Sequence, residues 1–553
     1  MTRPRRFAWL ALTAGVIGAG YAAFDRYKIG IPGLLGEWRN PVAPYHAIAW
    51  SRGPASAPTT PRPPNVILIV ADDLGINDIS LNGGGVAGGA VRTPHIDALA
   101  REGVSFTTAY AANATCSPSR AALMTGRYPT RYGFEFTAVP SALAGAIAHS
   151  TQGSSPYPII YHEELDHDVI DYLEQGVPTD QVTIAQVLKT RGYHTIHLGK
   201  WHLGETDALA PHARGFDETL GFRAGGSKFL HEDDPAVVNA KLPWDPIDRF
   251  LWPNLPYAVR YNNGQRFEPN THMTDYLTDN AIAAIEANRN RPFFLYLAYN
   301  APHTPLQATR ADYAALPMIK DHKTRVYGAM IRQLDRRIGD MMAKLKALGI
   351  DDKTLVVFTS DNGGAWYNGI AGLNAPYRGW KATFFEGGIR VPLLMRWPTR
   401  IAPGTRSARH ASQLDMFATI AAVAGADMPR DRVMDSTDVL AGIVPGLPAS
   451  PRTAPLFWRS GTYRAVRDGD WKLQVTARPA KAYLYNLATD PTERVNLAAR
   501  QPSQVARLRA EIDRHNQGMA KPLWPGLVEA PVRIDVPLDR PWSLDQDYVY
   551  WTN

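Results

Sequence analysis

NVILIVADDLG, Asn65–Gly75, joins an uninterrupted apolar run to a pair of acids. The run VILIVA is rich in β-branched residues and shows no polar alternation. A strand with one wet face would alternate; a continuous run marks a central strand of a parallel sheet, covered on both sides. Asp72 and Asp73 follow directly, at the carboxyl end of the strand, where open α/β sheets place their ligands.

The same grammar recurs three times. In KTLVVFTSDNGG (353–364) the apolar run ends in Asp361 and Asn362. RPFFLYLAYNAPHTP (291–305) ends near His303, and GYHTIHLGKWHLG (192–204) leads to Lys200 and His202. Helical patterns lie between these strands. TPHIDALAREG (93–103) and TIAQVLKTRG (183–192) read as short helices, the second stopped by Gly192. In HKTRVYGAMIRQLDRRIGDMMAKLKALG (322–349), Tyr327, Met330, Ile331, Leu334, Ile338, Met341, Leu345 and Leu348 trace one helical face. The expected fold is therefore α/β: a large, mostly parallel or mixed sheet flanked by helices. After residue 450 the pattern changes. YRAVRDGDWKLQV and KAYLYNLATDPTERVNLA read as antiparallel strands with turns such as Asp468-Gly469, and PSQVARLRAEIDRHNQGM reads as a helix. The expected division is 65–449 for the main domain and 450–553 for a smaller antiparallel-sheet domain, with a surface-wrapping tail from Pro522.

Residues 1–24, MTRPRRFAWLALTAGVIGAGYAAF, have a basic start and an apolar run, the pattern of a signal peptide or a membrane anchor. Arg5 and Arg6 hint at a twin-arginine signal, but their flanks match it poorly. Residues 25–64 are expected to be a linker, because 51–64, SRGPASAPTTPRPP, is rich in proline and small residues. Hydrophobic residues make up 45% of the 553, enough for a substantial core. The formal charge is +7, and Arg3, Arg5 and Arg6 supply three of those units. No basic block or aromatic-interleaved stripe marks a nucleic-acid surface. A single cysteine, Cys116, excludes an intrachain disulfide and a multi-cysteine metal cluster.

Asp72, Asp73, Asp361 and Asn362 form a set of hard oxygen donors suited to Ca²⁺ or Mg²⁺, provided their two strands are neighbours. Arg120, Lys200, His202, His303 and Lys381 sit beside loop segments. Together they suit a tetrahedral oxyanion such as sulfate or phosphate, with cations on its oxygens and histidines moving protons. NGGGVAGG (82–89) lacks the ending of a nucleotide phosphate loop and reads as a flexible loop. Cys116 opens CSPSRAALMTGR (116–127), where Arg120 favours a thiolate, yet CSPSR matches neither a thiol protease nor a thiol phosphatase.

CSPSRAALMTGR resembles the C-x-P-S-R signature of type I sulfatases, the formylglycine-dependent branch of the alkaline phosphatase superfamily. The likeness spans roughly residues 64–500 and implies an arylsulfatase-like sulfuric ester hydrolase with an alkaline-phosphatase-like fold. It implies that a dedicated maturation enzyme oxidises Cys116 to Cα-formylglycine on the unfolded chain. It places Asp72, Asp73, Asp361, Asn362 and the modified Cys116 on the metal, Ca²⁺ in preference to Mg²⁺. Arg120 would hold the formylglycine, with Lys200 and His202 beside it. His303 and Lys381 would lie on the substrate side, Lys381 following Trp380 where a glycine is more usual. Lys200, His303, Lys381 and Ser227 are the implied sulfate-binding groups. In the implied mechanism the aldehyde hydrates and one hydroxyl attacks sulfur in line. His303, aided by Lys381, protonates the leaving alcohol. His202 then takes the proton of the second hydroxyl, and sulfate departs as the aldehyde reforms. Phosphonate monoester or phosphodiester hydrolysis is the alternative within the superfamily. A non-catalytic binding protein on the same scaffold is disfavoured because every inspected site residue is present. Aryl, sugar and alkyl sulfates all remain open as substrates, with loops 134–170 and 223–270 expected to supply the contacts. WDPIDRFLWPNLPYAVRYNNG (244–264) suggests either an aromatic wall or plain packing, with packing preferred. Expected partners are the sulfate ester, the maturation enzyme and the export machinery, with no nucleic acid. The expected location is the periplasm, exported or tethered to the inner membrane.

Overall fold

The computed structural model describes residues 28–59, 62–150, 155–447 and 452–553. The apolar N-terminal run lies outside the described residues. Ten strands form the principal sheet: β1 (Asn65–Ala71), β2 (Val104–Tyr110), β3 (His194–Lys200), β4 (Glu218–Phe222), β5 (Val259–Tyr261), β6 (Arg266–Phe267), β7 (Phe293–Ala298), β8 (Thr354–Ser360), β9 (Leu393–Arg396) and β10 (Thr405–Ser412). Their order is β10-β2-β9-β8-β1-β7-β3-β4-β5-β6. The middle of the sheet, from β8 through β1, β7 and β3 to β4, is parallel, and β9 and β5 pair antiparallel at its flanks.

The reading of VILIVA holds. Every residue of β1 is buried. Ile67, Ile69 and Ala71 enter a core shared with helices Met273–Asn288 and His322–Ala347, while Val66, Leu68 and Val70 enter one shared with helices Ile184–Lys189 and Asp415–Ala424. The two core layers explain why the strand is apolar on both faces. The register of β1 sets the level at which the neighbouring loops begin. Ala71 pairs with Ser360, and Val70 and Gly199 both pair with Ala298, so four strands end at one level. The loops carrying Asp72, Asp361 and His303 leave from that rim, and Lys200 is the last residue of β3 there. The expected long helix is His322–Ala347, with its apolar face buried except for Leu348, which is half-buried just past its end. Thr183 and Gln186 form a capping box on Ile184–Lys189.

The C-terminal part is a four-stranded antiparallel sheet of β11 (Leu456–Ser460), β12 (Tyr463–Asp468), β13 (Trp471–Ala477) and β14 (Ala480–Asn486), backed by helix Pro502–Gln517 through Leu508 and Ile512. The tail corrects an expectation. It does not merely wrap the surface: β15 (Val528–Arg533) and β16 (Tyr548–Thr552) pair with each other, and β15 pairs with Ile160–Tyr161. Val532, Ile534, Val549 and Trp551 are buried with Phe384, Phe385 and Tyr463. The tail thus packs under the loop that carries Lys381.

The expected linker is a second correction. Helix Ile31–Arg39 packs on Asp248–Asn254, Trp50 is buried, and the Ser51 and Gly53 amides donate to Glu218 and to the Ala287 carbonyl. Proline and small residues there mark turns laid on the domain surface, not chain free in water.

The small sheet is tied to the main one by a buried charge cluster. Lys472 Nζ lies 2.8 Å from Glu386 and 3.0 Å from Glu493, with all three side chains fully buried. Tyr110 and Arg390 hold the other oxygen of Glu386. Removing the cation leaves two buried acids facing each other. Lys472→Ala is expected to lower the unfolding free energy by about 3–5 kcal/mol, measured by denaturant titration.

Candidate active site

Cys116 begins helix Cys116–Thr125, whose ten residues are all buried. Ser119 pins the helix start by donating to the Asn113 carbonyl and accepting from the Asn113 amide. Cys116 Sγ sits 3.4 Å from Asp72 Oδ1 and 3.6 Å from Asp73 Oδ1. Arg120, one helical turn on, lies on the same face. Its Nε and Nη2 are 2.9 and 2.7 Å from Asp361 Oδ2, and its Nη1 donates to the Lys200 carbonyl. Lys200 Nζ is 2.7 Å from Asp72 Oδ2. Lys381 Nζ is 2.8 Å from Asp73 Oδ2 and 3.4 Å from His303 Nε2. Asn362 donates to Asp73 Oδ1 at 2.7 Å, and the Asp73 amide donates to Asp361 Oδ1. The structure therefore brings ten of the eleven sequence-derived residues into one buried cluster and its cavity.

Ser227 is the exception and a correction. Its hydroxyl donates to the Pro256 carbonyl at 2.9 Å, and it lines a neighbouring pocket, not the cavity that reaches Cys116. A hydroxyl spent on the backbone carbonyl of a neighbouring segment is not offered to a sulfate. Tyr367 is a site residue that the sequence does not reveal. It comes from the turn Trp366–Asn368, donates to Asp73 Oδ2 at 2.7 Å and accepts from Lys381 Nζ at 3.0 Å. The one signal is its position, five residues beyond Asn362 in the same glycine-rich loop. Trp380 packs into the main core next to Lys381.

The backbone is strained at this place. Asp73, His202 and Ala382 have φ of 61°, 59° and 67°. Non-glycine residues rarely adopt this left-handed region, and such conformations gather at functional sites. Surrounding bonds hold them: the Lys381 and Ala382 amides donate to the Gly364 and Ala114 carbonyls, and the His202 amide to the Arg223 carbonyl.

Electrostatics sort the roles. Burial pushes the Cys116 thiol well up, and the Asp361 carboxylate adds to it, so an unmodified thiol stays protonated and is a poor nucleophile. Asp72 is held low by Lys200, His303 and Arg120 despite its burial, and Asp73 by Lys381 and His303 despite its own. Burial, helped by Lys200 and Arg120, holds His202 well below the usual imidazole range, and burial lowers His303 as well. Lys381 is held above its ordinary value by Asp73 despite burial. His303 Nδ1 lies 2.6 Å from the Thr304 carbonyl, which only accepts; Nδ1 therefore carries the hydrogen and Nε2 turns its lone pair to Lys381.

A divalent cation fits this donor set. Ligand atoms of Asp72, Asp73, Cys116 and His303 lie within 4.8 Å of one another. Asn362 Oδ1 is buried with no hydrogen-bond partner, an orphan acceptor beside three carboxylates. Three acids (Asp72, Asp73, Asp361) balance three bases (Arg120, Lys200, Lys381). A bound divalent ion leaves the centre positive, as an anionic ester requires.

A protein-family model described as Sulfatase matches residues 64–426. N-acetylgalactosamine-6-sulfatase of Mus musculus is 34% identical over 419 residues, covering 74% of this chain and 72% of that protein. Steryl-sulfatase of Mus musculus is 34% identical over 452 residues, covering 70% and 66%. The solved structure of Ps i-CgsB in complex with k-i-k-neocarrahexaose matches with a TM-score of 0.69 at 33% identity, over 84% of this chain and 95% of that one.

Proposed function

The chain belongs to the sulfatase family and is a sulfuric ester hydrolase, and we propose that it works through an aldehyde made from Cys116 and a divalent cation held by the acids around it. The observation that carries this reading is the placement of Cys116 Sγ within 3.4–3.6 Å of Asp72 and Asp73, beneath the Arg120, Lys200 and Lys381 cations. As a formylglycine hydrate, residue 116 would offer one hydroxyl to sulfur and keep the other for release of sulfate. Asp72, Asp73, Asp361 and Asn362 would hold the cation, with residue 116 beside them. Oxygen donors admit Ca²⁺ and Mg²⁺ alike, and the family resemblance favours Ca²⁺. When bound, the cation would supply positive charge to the sulfate oxygens.

The chain's own groups divide the remaining work. Arg120, locked by Asp361 and the Lys200 carbonyl, orients residue 116 and keeps its charge in a dry site. Lys200 places a second cation beside it. Lys381 carries the resting proton for the departing alkoxide, which it gives directly or through the free Nε2 of His303. His202, neutral and with a buried, unpartnered Nδ1, is placed to accept the proton of the second hydroxyl. Tyr367 fixes Asp73 and Lys381 relative to each other. Tyr367→Phe is expected to lower kcat about 10–100-fold with little change in thermal unfolding, measured by steady-state hydrolysis and calorimetry.

Phosphorus esters demand similar cations. Hydrolysis of matched aryl sulfate and aryl phosphonate monoesters separates the two readings: sulfate should be favoured in kcat/KM by at least about tenfold, and a reversed ratio would move the assignment to phosphonate esters. Among the described residues no helix is long and apolar enough to cross a membrane. The basic, apolar stretch 1–24 supports export or an inner-membrane tether, with residues 65–553 in the periplasm and the maturation enzyme acting first, before folding encloses Cys116. Fractionation of the host with N-terminal sequencing tests this; a cytoplasmic product retaining Met1 contradicts it.

A further inference from the structure

The cavity ending at Cys116, His202, His303 and Lys381 has a volume of about 1470 Å³, larger than the roughly 300–1,000 Å³ of most small-ligand sites. A sulfate group fills only its inner end. The outer walls come from helix Ser141–Ser150, SALAGAIAHS, and from helix Asp248–Asn254 with the loop after it. Leu143, Ile147, Phe250, Leu251 and Leu255 line it with half-buried side chains. The larger aromatics of that insertion point elsewhere: the Trp252 indole donates to Asp248 and the Tyr257 hydroxyl to the Thr271 carbonyl. Beyond the catalytic end the charged lining is Arg249, Arg266 and Glu37. Of the other polar groups there, His149 Nδ1 is held by the Gly145 carbonyl, the Tyr172 hydroxyl donates to Glu205, and the Asn254 amide bonds the Ile29 and Phe250 carbonyls and the Gly33 amide, which leaves the Thr137 hydroxyl. A polysulfated sugar needs several further cations, and this wall offers two arginines.

The rim continues the same chemistry. Helix Ile31–Arg39 closes one side of the cavity through Pro32, Gly33 and Gly36. It lies against the domain at Gly33: the Gly33 amide donates to Asn254 Oδ1 at 2.7 Å, and a Cβ on Gly33 would come within 2.6 Å of the Pro253 carbonyl. That close approach turns Ile31, Leu34, Leu35 and Trp38 outward, exposed by 37%, 68%, 47% and 80%. Their i, i+3, i+4, i+7 spacing makes an apolar stripe on the outer face, a few residues after the apolar run of residues 7–24. Such a stripe suits the boundary between lipid headgroups and acyl chains.

We propose that the substrate is a sulfate monoester of a large apolar alcohol, taken from a lipid surface on which the Ile31–Arg39 helix rests. The proposal builds on the sulfuric-ester-hydrolase reading and names the alcohol half, on which the relatives' names disagree. The test uses the full, matured chain with n-alkyl sulfates from ethyl to decyl, and N-acetylgalactosamine 6-sulfate as the polar comparator. Each methylene that enters an apolar wall is worth about three- to fourfold in affinity, so kcat/KM should climb along the series and exceed that of the sugar sulfate at least about 100-fold. Leu251→Ser and Phe250→Ser should flatten the climb. A flat series in the wild type, or a sugar sulfate cleaved faster than decyl sulfate, overturns the apolar alcohol. For the lipid route, decyl sulfate is presented in phosphatidylcholine vesicles and as free monomer. Trp38→Glu should lower the vesicle rate at least about tenfold more than the monomer rate, and equal effects overturn that route. Non-hydrolysable alkyl sulfonates separate this proposal from the catalytic reading. Decanesulfonate binding far tighter than ethanesulfonate, with no ester cleaved, supports the pocket and strikes the catalytic reading. Equal binding of the two strikes the pocket.

Discussion

Cys116→Ala should lower kcat on the order of 10⁵-fold or more, because removing the nucleophile of a covalent mechanism leaves only binding and electrostatics. The fold should survive. Sγ is a small buried atom at the first position of a helix held elsewhere by Ser119 and by Arg120 with Asp361. Cys116→Ser sharpens the point. A serine hydroxyl can accept the sulfuryl group in that place, but it has no second hydroxyl to expel it. The expected result is release of about one alcohol per active site, with the enzyme then stalled and retaining sulfate. Rapid-quench measurement of alcohol and sulfate tells these apart. Steady turnover by either variant would remove Cys116 from the mechanism.

Asp72→Asn should cost at least about 10³-fold in kcat and strip the bound divalent ion. The substitution keeps the size of the side chain and removes its charge. Two acids would then face Arg120, Lys200 and Lys381 in a buried space, where electrostatic interactions are weakly screened. A centre already carrying excess positive charge repels a divalent cation. Elemental analysis after gel filtration, beside steady-state rates, measures both effects. Wild-type metal content in the variant would show that Asp72 does not hold the ion.

The legible parts of this molecule are those that depend on short-range pattern. VILIVA announces a strand buried on both faces, and the acids after it announce the end of the sheet where chemistry belongs. What joins Asp72 to Asp361 is the parallel register of β1 with β8, which the sequence allows but does not state. Ser227 is misplaced by sequence because RAGGSKFLH has no periodicity to orient a side chain, and the neighbouring Pro256 carbonyl that takes its hydroxyl comes from another segment. Tyr367 escapes notice for a similar reason: a tyrosine in a turn carries no local mark of the carboxylate it will meet. For the linker and the tail, composition misleads. Proline-rich chain reads as turns, but whether those turns pack depends on partners as distant as Glu218 for Ser51 and Phe384 for the cluster holding Trp551.

The most direct test of the central claim is the mass of the Cys116 peptide from protein that is turning over a sulfate ester, isolated after co-expression with a formylglycine-generating enzyme. The account predicts the aldehyde or its hydrate at position 116, in a fraction that scales with specific activity across preparations. An unmodified thiol at residue 116 in fully active protein would contradict it.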